Sequence, residues 1–135
     1  MAPGIADLLA VLGDARLALV TGNYEPIARM KLDRAGIGHH FDAGQGGFGS
    51  DAEERGLLPA IARRRAGGDD GAPHPRERTI VIGDTPRDIA CARADGVRVL
   101  AVATGPFPVT ALAEADGVAA DAFALRGLLA RELAR

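Results

Sequence analysis

Short apolar runs alternate along the chain with segments in which apolar residues recur at three- and four-residue spacing. Three runs consist almost entirely of apolar residues, many of them β-branched: 17–21, 79–83 and 98–103. Such runs are typical of strands buried on both faces of a parallel sheet. Helical spacing occurs in six segments: 5–12, 25–35, 51–65, 86–94, 109–115 and 125–133. The pattern predicts an α/β sandwich of three layers with a mostly parallel sheet, whose functional groups lie at the carboxyl ends of the strands.

Individual residues mark where several of these helices begin and end. Pro86 suits the first turn of a helix. Ser50 is predicted to cap the third helix, with Glu53 at the third helical position completing a capping box. Gly36 and Gly96 stand where a left-handed residue ends a helix. We therefore expect helix boundaries close to these five residues.

Composition and charge narrow the class of protein. The 135 residues form one predicted domain, 1–135, and 47% hydrophobic with 25% charged residues indicates a globular chain. A net charge of -2 predicts no nucleic-acid partner, and the cluster 63–65 of three arginines is interpreted as a solvated helix end. Neither a membrane-length apolar run nor a signal-peptide pattern is found, so we expect a soluble, cytoplasmic protein with no membrane partner. Cys91 is the only cysteine, which excludes an internal disulfide.

The first candidate site follows the apolar run 17–21. The run ends in the hydroxyl of Thr21, followed by Gly22 and the amide side chain of Asn23, just before a predicted helix. A hydroxyl and free backbone N–H groups at a helix N-terminus favour an anion such as phosphate. The alternative is that Thr21 and Asn23 only cap the following helix.

The second candidate site follows the run 79–83. Asp84 comes directly after this run, and Asp88 lies one helical turn later, so that both carboxylates can face the same point. Hard divalent cations such as Mg²⁺ take oxygen ligands of this kind. The alternative is that Asp84 caps the helix and Asp88 interacts with its dipole, but a cap does not need the second carboxylate.

At these two places the chain resembles the haloacid dehalogenase superfamily, in its phosphoglycolate-phosphatase-like branch. The segment 20–23 is similar to the second motif of the family, and 83–88 is similar to the fourth. The resemblance implies a Rossmann-like core in which Thr21, Gly22 and Asn23 bind the transferring phosphoryl group. It also implies that Asp84 is a Mg²⁺ ligand and that Asp88 supports the metal site.

The third motif of the family is normally a lysine near the start of the helix that precedes the fourth-motif strand. The only lysine, Lys31, lies in the middle of an earlier predicted helix, whereas Arg55 stands at about the right place. A guanidinium can bind phosphate and offset carboxylate repulsion as an ammonium does. We therefore assign the role to Arg55; the alternative is an ordinary surface ion pair of Arg55 with Asp51 or Glu54.

The first motif of the family, an apolar strand ending in Asp-x-Asp, has no counterpart. Asp7 lies inside a helical pattern and Asp14 has no strand before it. The resemblance thus implies the C-terminal portion of a family core, without the nucleophile and the substrate-selecting cap. In a complete protein it implies Mg²⁺-dependent hydrolysis of small phosphorylated metabolites through an aspartyl-phosphate, whereas this chain alone is expected to be inactive. Its expected partners are a missing N-terminal segment, or copies of itself joined through exposed strand edges.

Two other functions are compatible with the sequence. The missing Asp-x-Asp favours a split or degenerate relative that binds phosphate or a partner without turnover. Separately, the segment 44–49 fits the dinucleotide-binding pattern G-x-G-x-x-G. That pattern needs a strand directly upstream, and 39–43 supplies a short one at most, while the nearest acids, Asp69 and Asp70, lie in a glycine-rich loop. We therefore expect no dinucleotide cofactor here.

Overall fold

The computed structural model describes residues 8, 12, 17–42, 44–67 and 71–133. The strands within these residues are β1 (Val20–Thr21), β2 (Gly47–Phe48), β3 (Ile80–Gly83), β4 (Arg98–Val102) and β5 (Gly117–Ala119). The helices described in full are α1 (Glu25–Arg34), α2 (Leu58–Ala66), α3 (Pro86–Asp95) and α4 (Ala122–Leu133). Short 3₁₀ turns occupy Gly38–His40, Arg55–Leu57, Arg76–Arg78 and Val109–Leu112. None of the described helices is both long and apolar enough to cross a bilayer.

The strands form two parallel sheets. β1 pairs with β2, and β4 lies between β3 and β5 in the second sheet. All of these pairs are parallel, which confirms the predicted α/β fold. The run 17–21 is a strand only at its last two residues, and 109–115 forms a 3₁₀ turn instead of an α-helix. Most of the predicted 5–12 helix lies outside the described residues, as do Asp7 and Asp14.

The hydrophobic core lies on both faces of β4. Leu100 and Val102 pack with α4 on one face, together with Leu8. Val99 and Ala101 pack with α3 on the other face. Successive side chains of β4 point to opposite faces of the sheet, and a helix packs on each face. This is the predicted three-layer arrangement.

β3 is less buried than its sequence predicts. Ile80 and Val81 are partly buried and Ile82 is 41% exposed, whereas the apolar residues of β4 are almost fully covered. Within the described part of the chain, β3 pairs only with β4, so one side of it is a sheet edge. The prediction that the run 79–83 is buried on both faces is therefore wrong.

The predicted 51–65 helix begins later than expected. α2 starts at Leu58, and residues 51–54 are not helical. The Asp51 carboxylate instead accepts a hydrogen bond from the Phe48 amide (2.9 Å) and pairs with Arg65 (2.5 Å), while Ser50 Oγ accepts one from the Glu25 amide (3.3 Å). These long-range contacts replace the predicted capping box, which is wrong. The other three boundary predictions are confirmed, because Pro86 opens α3, Gly96 ends it in a left-handed conformation, and Gly36 does the same after α1.

Arg63 is buried, so that the prediction of a solvated arginine cluster is wrong at this residue. Its guanidinium makes two hydrogen bonds to the Asp95 carboxylate, of 2.6 and 2.8 Å, and a third to the His74 carbonyl (3.0 Å). Arg76 donates to the Asp95 carbonyl (2.7 Å). This buried ion pair joins α2, α3 and the loop before β3. Arg64, the next residue, is exposed.

Candidate phosphate- and metal-binding site

The turn after β1 presents the first predicted site. The Asn23 amide donates to Thr21 Oγ1 (3.2 Å), and the Asn23 carbonyl accepts from the Gly49 amide (2.9 Å). α1 begins two residues after Asn23, with Tyr24 at its N-cap and no side-chain cap. Thr21 and Asn23 therefore shape the turn and do not cap the helix, which removes the alternative interpretation.

Arg55 lies against this turn. A methyl group built at Gly22 would stand 2.6 Å from one terminal nitrogen of the Arg55 guanidinium and 2.7 Å from its Nε. Only glycine leaves room for this approach. Arg55 itself lies in the 3₁₀ turn that precedes α2, not in the helix that the sequence predicted. It forms no hydrogen bond or ion pair with any described residue, and Asp51, its predicted alternative partner, pairs with Arg65.

The loop between β3 and α3 presents the second predicted site. Thr85 is the N-cap of α3, and its hydroxyl accepts a hydrogen bond from the Asp88 amide (3.2 Å). Asp88 Oδ2 accepts three hydrogen bonds, from the Asp84 amide (3.0 Å), the Thr85 amide (3.1 Å) and the Thr85 hydroxyl (3.0 Å). Asp88 thus completes a capping box at the start of α3. The cap is Thr85, so the alternative interpretation, in which Asp84 caps the helix, is wrong.

The Asp84 carboxylate makes no hydrogen bond or ion pair with the described residues. It lies against the backbone after β4, because a methyl group at Gly105 would stand 2.7 Å from Asp84 Oδ2. Gly105 is not among the site residues that the sequence predicted. A signal existed, since the segment 104–106 follows the strand next to β3, where the carboxyl ends of parallel strands meet.

The carboxylates of Asp84 and Asp88 supply some, but not all, of the oxygen ligands that a hard divalent cation needs. Asp84 offers a carboxylate without a partner in the described part of the chain, whereas one oxygen of Asp88 already accepts three hydrogen bonds. Among the described residues, no group of three or more acidic, histidine or cysteine side chains could hold a metal ion. Any Mg²⁺ here would therefore need further oxygen ligands, such as water or phosphate.

The glycines of 44–49 have a packing explanation. β2 lies inside the pattern, at Gly47–Phe48, and neither a strand directly before the pattern nor a helix directly after it is found in the described residues. A methyl group at Gly46 would stand 2.5 Å from the Leu19 carbonyl oxygen, and one at Gly47 would stand 2.5 Å from that of Leu58. These glycines permit close backbone contacts around β2, and the strand-turn-helix geometry of a dinucleotide site is not formed.

Comparison with known proteins finds related sequences and similar folds. The model of the haloacid dehalogenase-like hydrolase family (HAD) matches residues 1–93. The tyrosine-protein kinase PtkA of Mycobacterium bovis and that of Mycobacterium tuberculosis are each 37% identical to this chain over 107 residues, or 76% of its length. The match covers 34% of each kinase, so the chain spans about a third of these curated relatives.

Two solved structures have a similar fold. One is a structural-genomics target, with a TM-score of 0.74 and 19% identity, for which the match covers 96% of this chain and 42% of that one. The other is a Bacteroides vulgatus protein provisionally described as a beta-phosphoglucomutase, with a TM-score of 0.71 and 20% identity. That match covers 98% of this chain and 54% of the other.

Proposed function

We propose, because the chain belongs to the haloacid dehalogenase-like hydrolase family, that it supplies the phosphate- and metal-binding half of a phosphatase site. The reaction of the completed site would be hydrolysis of small phosphorylated metabolites. The observation that carries the proposal is the position of Arg55, whose guanidinium has no partner among the described residues and lies against Gly22 in the turn after β1. A basic group beside the Thr21 hydroxyl and the Gly22 backbone amide, neither of which donates to a described residue, suits a phosphoryl group.

Each residue has a distinct proposed role at the phosphoryl group. The Thr21 hydroxyl, the Gly22 backbone amide and Asn23 would hold its oxygens, and Arg55 would bind them from beside Gly22. Because hydrogen bonds of Asn23 hold the turn in shape before a ligand arrives, its donors would stabilise negative charge with little reorganisation during the reaction. The hydrogen bond from Asn23 to Thr21 Oγ1 supports this arrangement, since it orients the hydroxyl.

Asp84 would bind Mg²⁺, and Asp88 would hold the Asp84 backbone in place through the hydrogen bond from the Asp84 amide to its carboxylate. Mg²⁺ would supply charge neutralisation at the phosphoryl oxygens. In this proposal Asp88 is mainly a positioning residue, because one of its oxygens is used by the α3 cap.

The attacking carboxylate has to come from outside these residues. The sequence contains no Asp-x-Asp, so the chain alone would not form an aspartyl-phosphate. An additional segment carrying that motif, covalently linked or as a separate partner, is therefore part of the proposal.

The absent Asp-x-Asp equally favours a second candidate function, a non-catalytic domain that binds phosphate or a partner.

The names of the 37% identical relatives suggest a variant of the proposed phosphatase function, in which a completed site passes the phosphoryl group to a tyrosine instead of water. Adding a tyrosine-containing polymer and ATP to the completed protein would separate transfer from hydrolysis, because only transfer labels the polymer.

Phosphate binding by the chain itself is the direct test. We expect inorganic phosphate to shift the backbone amide NMR signals of Gly22 and Asn23, and Arg55→Ala to weaken this binding about tenfold, as the loss of one charge-assisted contact predicts. Arg64→Ala is the matched control, because Arg64 is an exposed arginine on the neighbouring helix. Equal effects of the two substitutions would show that Arg55 does not bind phosphate.

A further inference from the structure

A shallow cavity of about 430 Å³ lies beside the proposed phosphate site, between the 3₁₀ turn before α2 and the first turns of α3. Its walls come from two segments that are distant in sequence. The lining residues are Glu53, Arg55, Gly56, Arg87, Ala90 and Cys91. Because Arg55 also lies against Gly22, this groove and the turn after β1 share one guanidinium.

The two arginines of the groove lack the oxygen partners that six other arginines have. Among the described residues, hydrogen bonds to carboxylates or carbonyl oxygens are made by Arg29, Arg63, Arg65, Arg76, Arg93 and Arg98. Arg55 and Arg87 make no hydrogen bond or ion pair with any described residue, although they line the same cavity. Glu53 is the only acidic residue of the lining, and it pairs with neither of them within the described residues.

The thiol of Cys91 is close enough to sense both charges. Burial raises the pKa of this thiol and the negative charge of Asp88 raises it further, whereas the positive charges of Arg55 and Arg87 lower it. The positive charges of both guanidinium groups therefore reach the same thiol in the groove. Cys91 is partly accessible and is the only cysteine in the chain, which makes it a natural reporter of what binds there.

We propose that this groove is a second anion-binding site, in which Arg87 and Arg55 together hold a carboxylate or phosphate group. Arg55 would then lie between two anionic groups, with the first at Gly22 and the second beside Arg87. The site would select ligands that carry a second negative group next to the phosphoryl group. This selectivity rests on the proposed function, whereas anion binding in the groove does not.

The test measures how fast a neutral reagent, iodoacetamide, alkylates Cys91. A bound anion covers the thiol and cancels the positive charge that lowers its pKa, so it slows the reaction. We expect 3-phosphonopropionate to protect Cys91 at a concentration about tenfold lower than ethylphosphonate, which lacks only the carboxylate. A mixture of ethylphosphonate and propionate identifies the source of the second anion, since equal protection by the mixture would mean that separate ions fill the two sites.

Two variants complete the test. Arg87→Gln should remove the advantage of 3-phosphonopropionate, whereas Arg126→Gln, at an exposed arginine of α4, should retain it. The inference is overturned if no anion slows alkylation, or if Arg87→Gln is protected as well as the parent chain. Either result leaves the proposed function standing as long as phosphate still shifts the amide signals of Gly22 and Asn23 in an Arg55-dependent way. Loss of those shifts alone would reject the proposed function and not the groove.

Discussion

Three consecutive arginines show what single residues in this sequence can and cannot reveal. Arg63 is buried against Asp95, Arg64 is exposed, and Arg65 pairs with Asp51. Neighbouring helical residues point about 100° apart, so a charge cluster in sequence separates into different environments in the fold. Thr21 and Asp84 could be located in advance because each ends an apolar run, but the partner of an arginine depends on contacts that no local pattern contains.

Removal of Arg63 should be strongly destabilising. Among the described residues, Arg63→Ala leaves the buried Asp95 carboxylate with Arg76 as its one cationic partner, and the Arg76 guanidinium nitrogen is 3.7 Å away. We expect the free energy of unfolding to fall by about 3 kcal/mol, as for other buried pairs broken on one side. Urea denaturation followed by circular dichroism measures the change, and Arg64→Ala, expected within about 0.5 kcal/mol of the parent, is the control. Equal stabilities would mean that Arg63 and Asp95 contribute no more than a surface pair.

Among the helices and strands, the sequence predicts most accurately those for which several local signals agree. α3 has a proline at its start and a left-handed glycine at its end, and β3 and β4 are continuous apolar runs. β2 and β5 have only two and three residues, too few to leave a periodic pattern. The early part of the predicted 51–65 helix is lost because Asp51 bonds to Phe48 and Arg65, a tertiary contact that outweighs helix propensity.

The α3 cap and the proposed metal site can be separated by substitution. Thr85→Ala removes the side-chain cap of α3, so we expect a loss of about 1 kcal/mol in stability in the presence of EDTA. Asp84→Asn should change stability in EDTA by less than about 0.5 kcal/mol, because the Asp84 carboxylate has no partner among the described residues. Asp84→Asn should instead abolish any rise in melting temperature caused by Mg²⁺. If Asp84→Asn were as destabilising as Thr85→Ala in EDTA, Asp84 would have a structural role.

At the scale of the whole molecule, the sequence alone does not predict whether the strands of the described residues form one sheet or two. The resemblance implies a first-motif strand between β1 and β3, and its absence predicts one of two arrangements: direct pairing of β1 with β3, or unpaired strand edges. In the described residues β1 pairs with β2 only and β3 with β4 only, so direct pairing is not observed. α2 packs against β1, β2 and α3, and thereby connects the two halves.

We expect a strand-forming segment that ends in Asp-x-Asp to bind between β1 and β3. Its backbone would satisfy edge groups that are otherwise unpaired, and each such group that is buried costs about 1–3 kcal/mol. The segment should raise the melting temperature, and with a cap domain also present it should allow Mg²⁺-dependent hydrolysis of p-nitrophenyl phosphate, which the chain alone should not catalyse. A segment of the same composition, scrambled so that the apolar run is interrupted, is the control.

This prediction has a clear contrary outcome. A chain that unfolds cooperatively at high temperature, stays monomeric and does not respond to the segment would show that no strand is missing between the two sheets. Turnover by the chain alone that persists on repurification and disappears in Asp84→Asn would reject the requirement for an external nucleophile.

The separate sheets also affect how tightly a ligand can bind. Arg55 and the turn after β1 belong to one half and Asp84 to the other, and no strand ladder in the described residues fixes their distance. A ligand that contacts both halves binds only the molecules in which they are docked, and its apparent affinity is the intrinsic affinity multiplied by the fraction of such molecules. The packing of α2, which connects the two halves, would thus enter the apparent affinity of such a ligand, although none of the residues proposed to bind the ligand lies in α2.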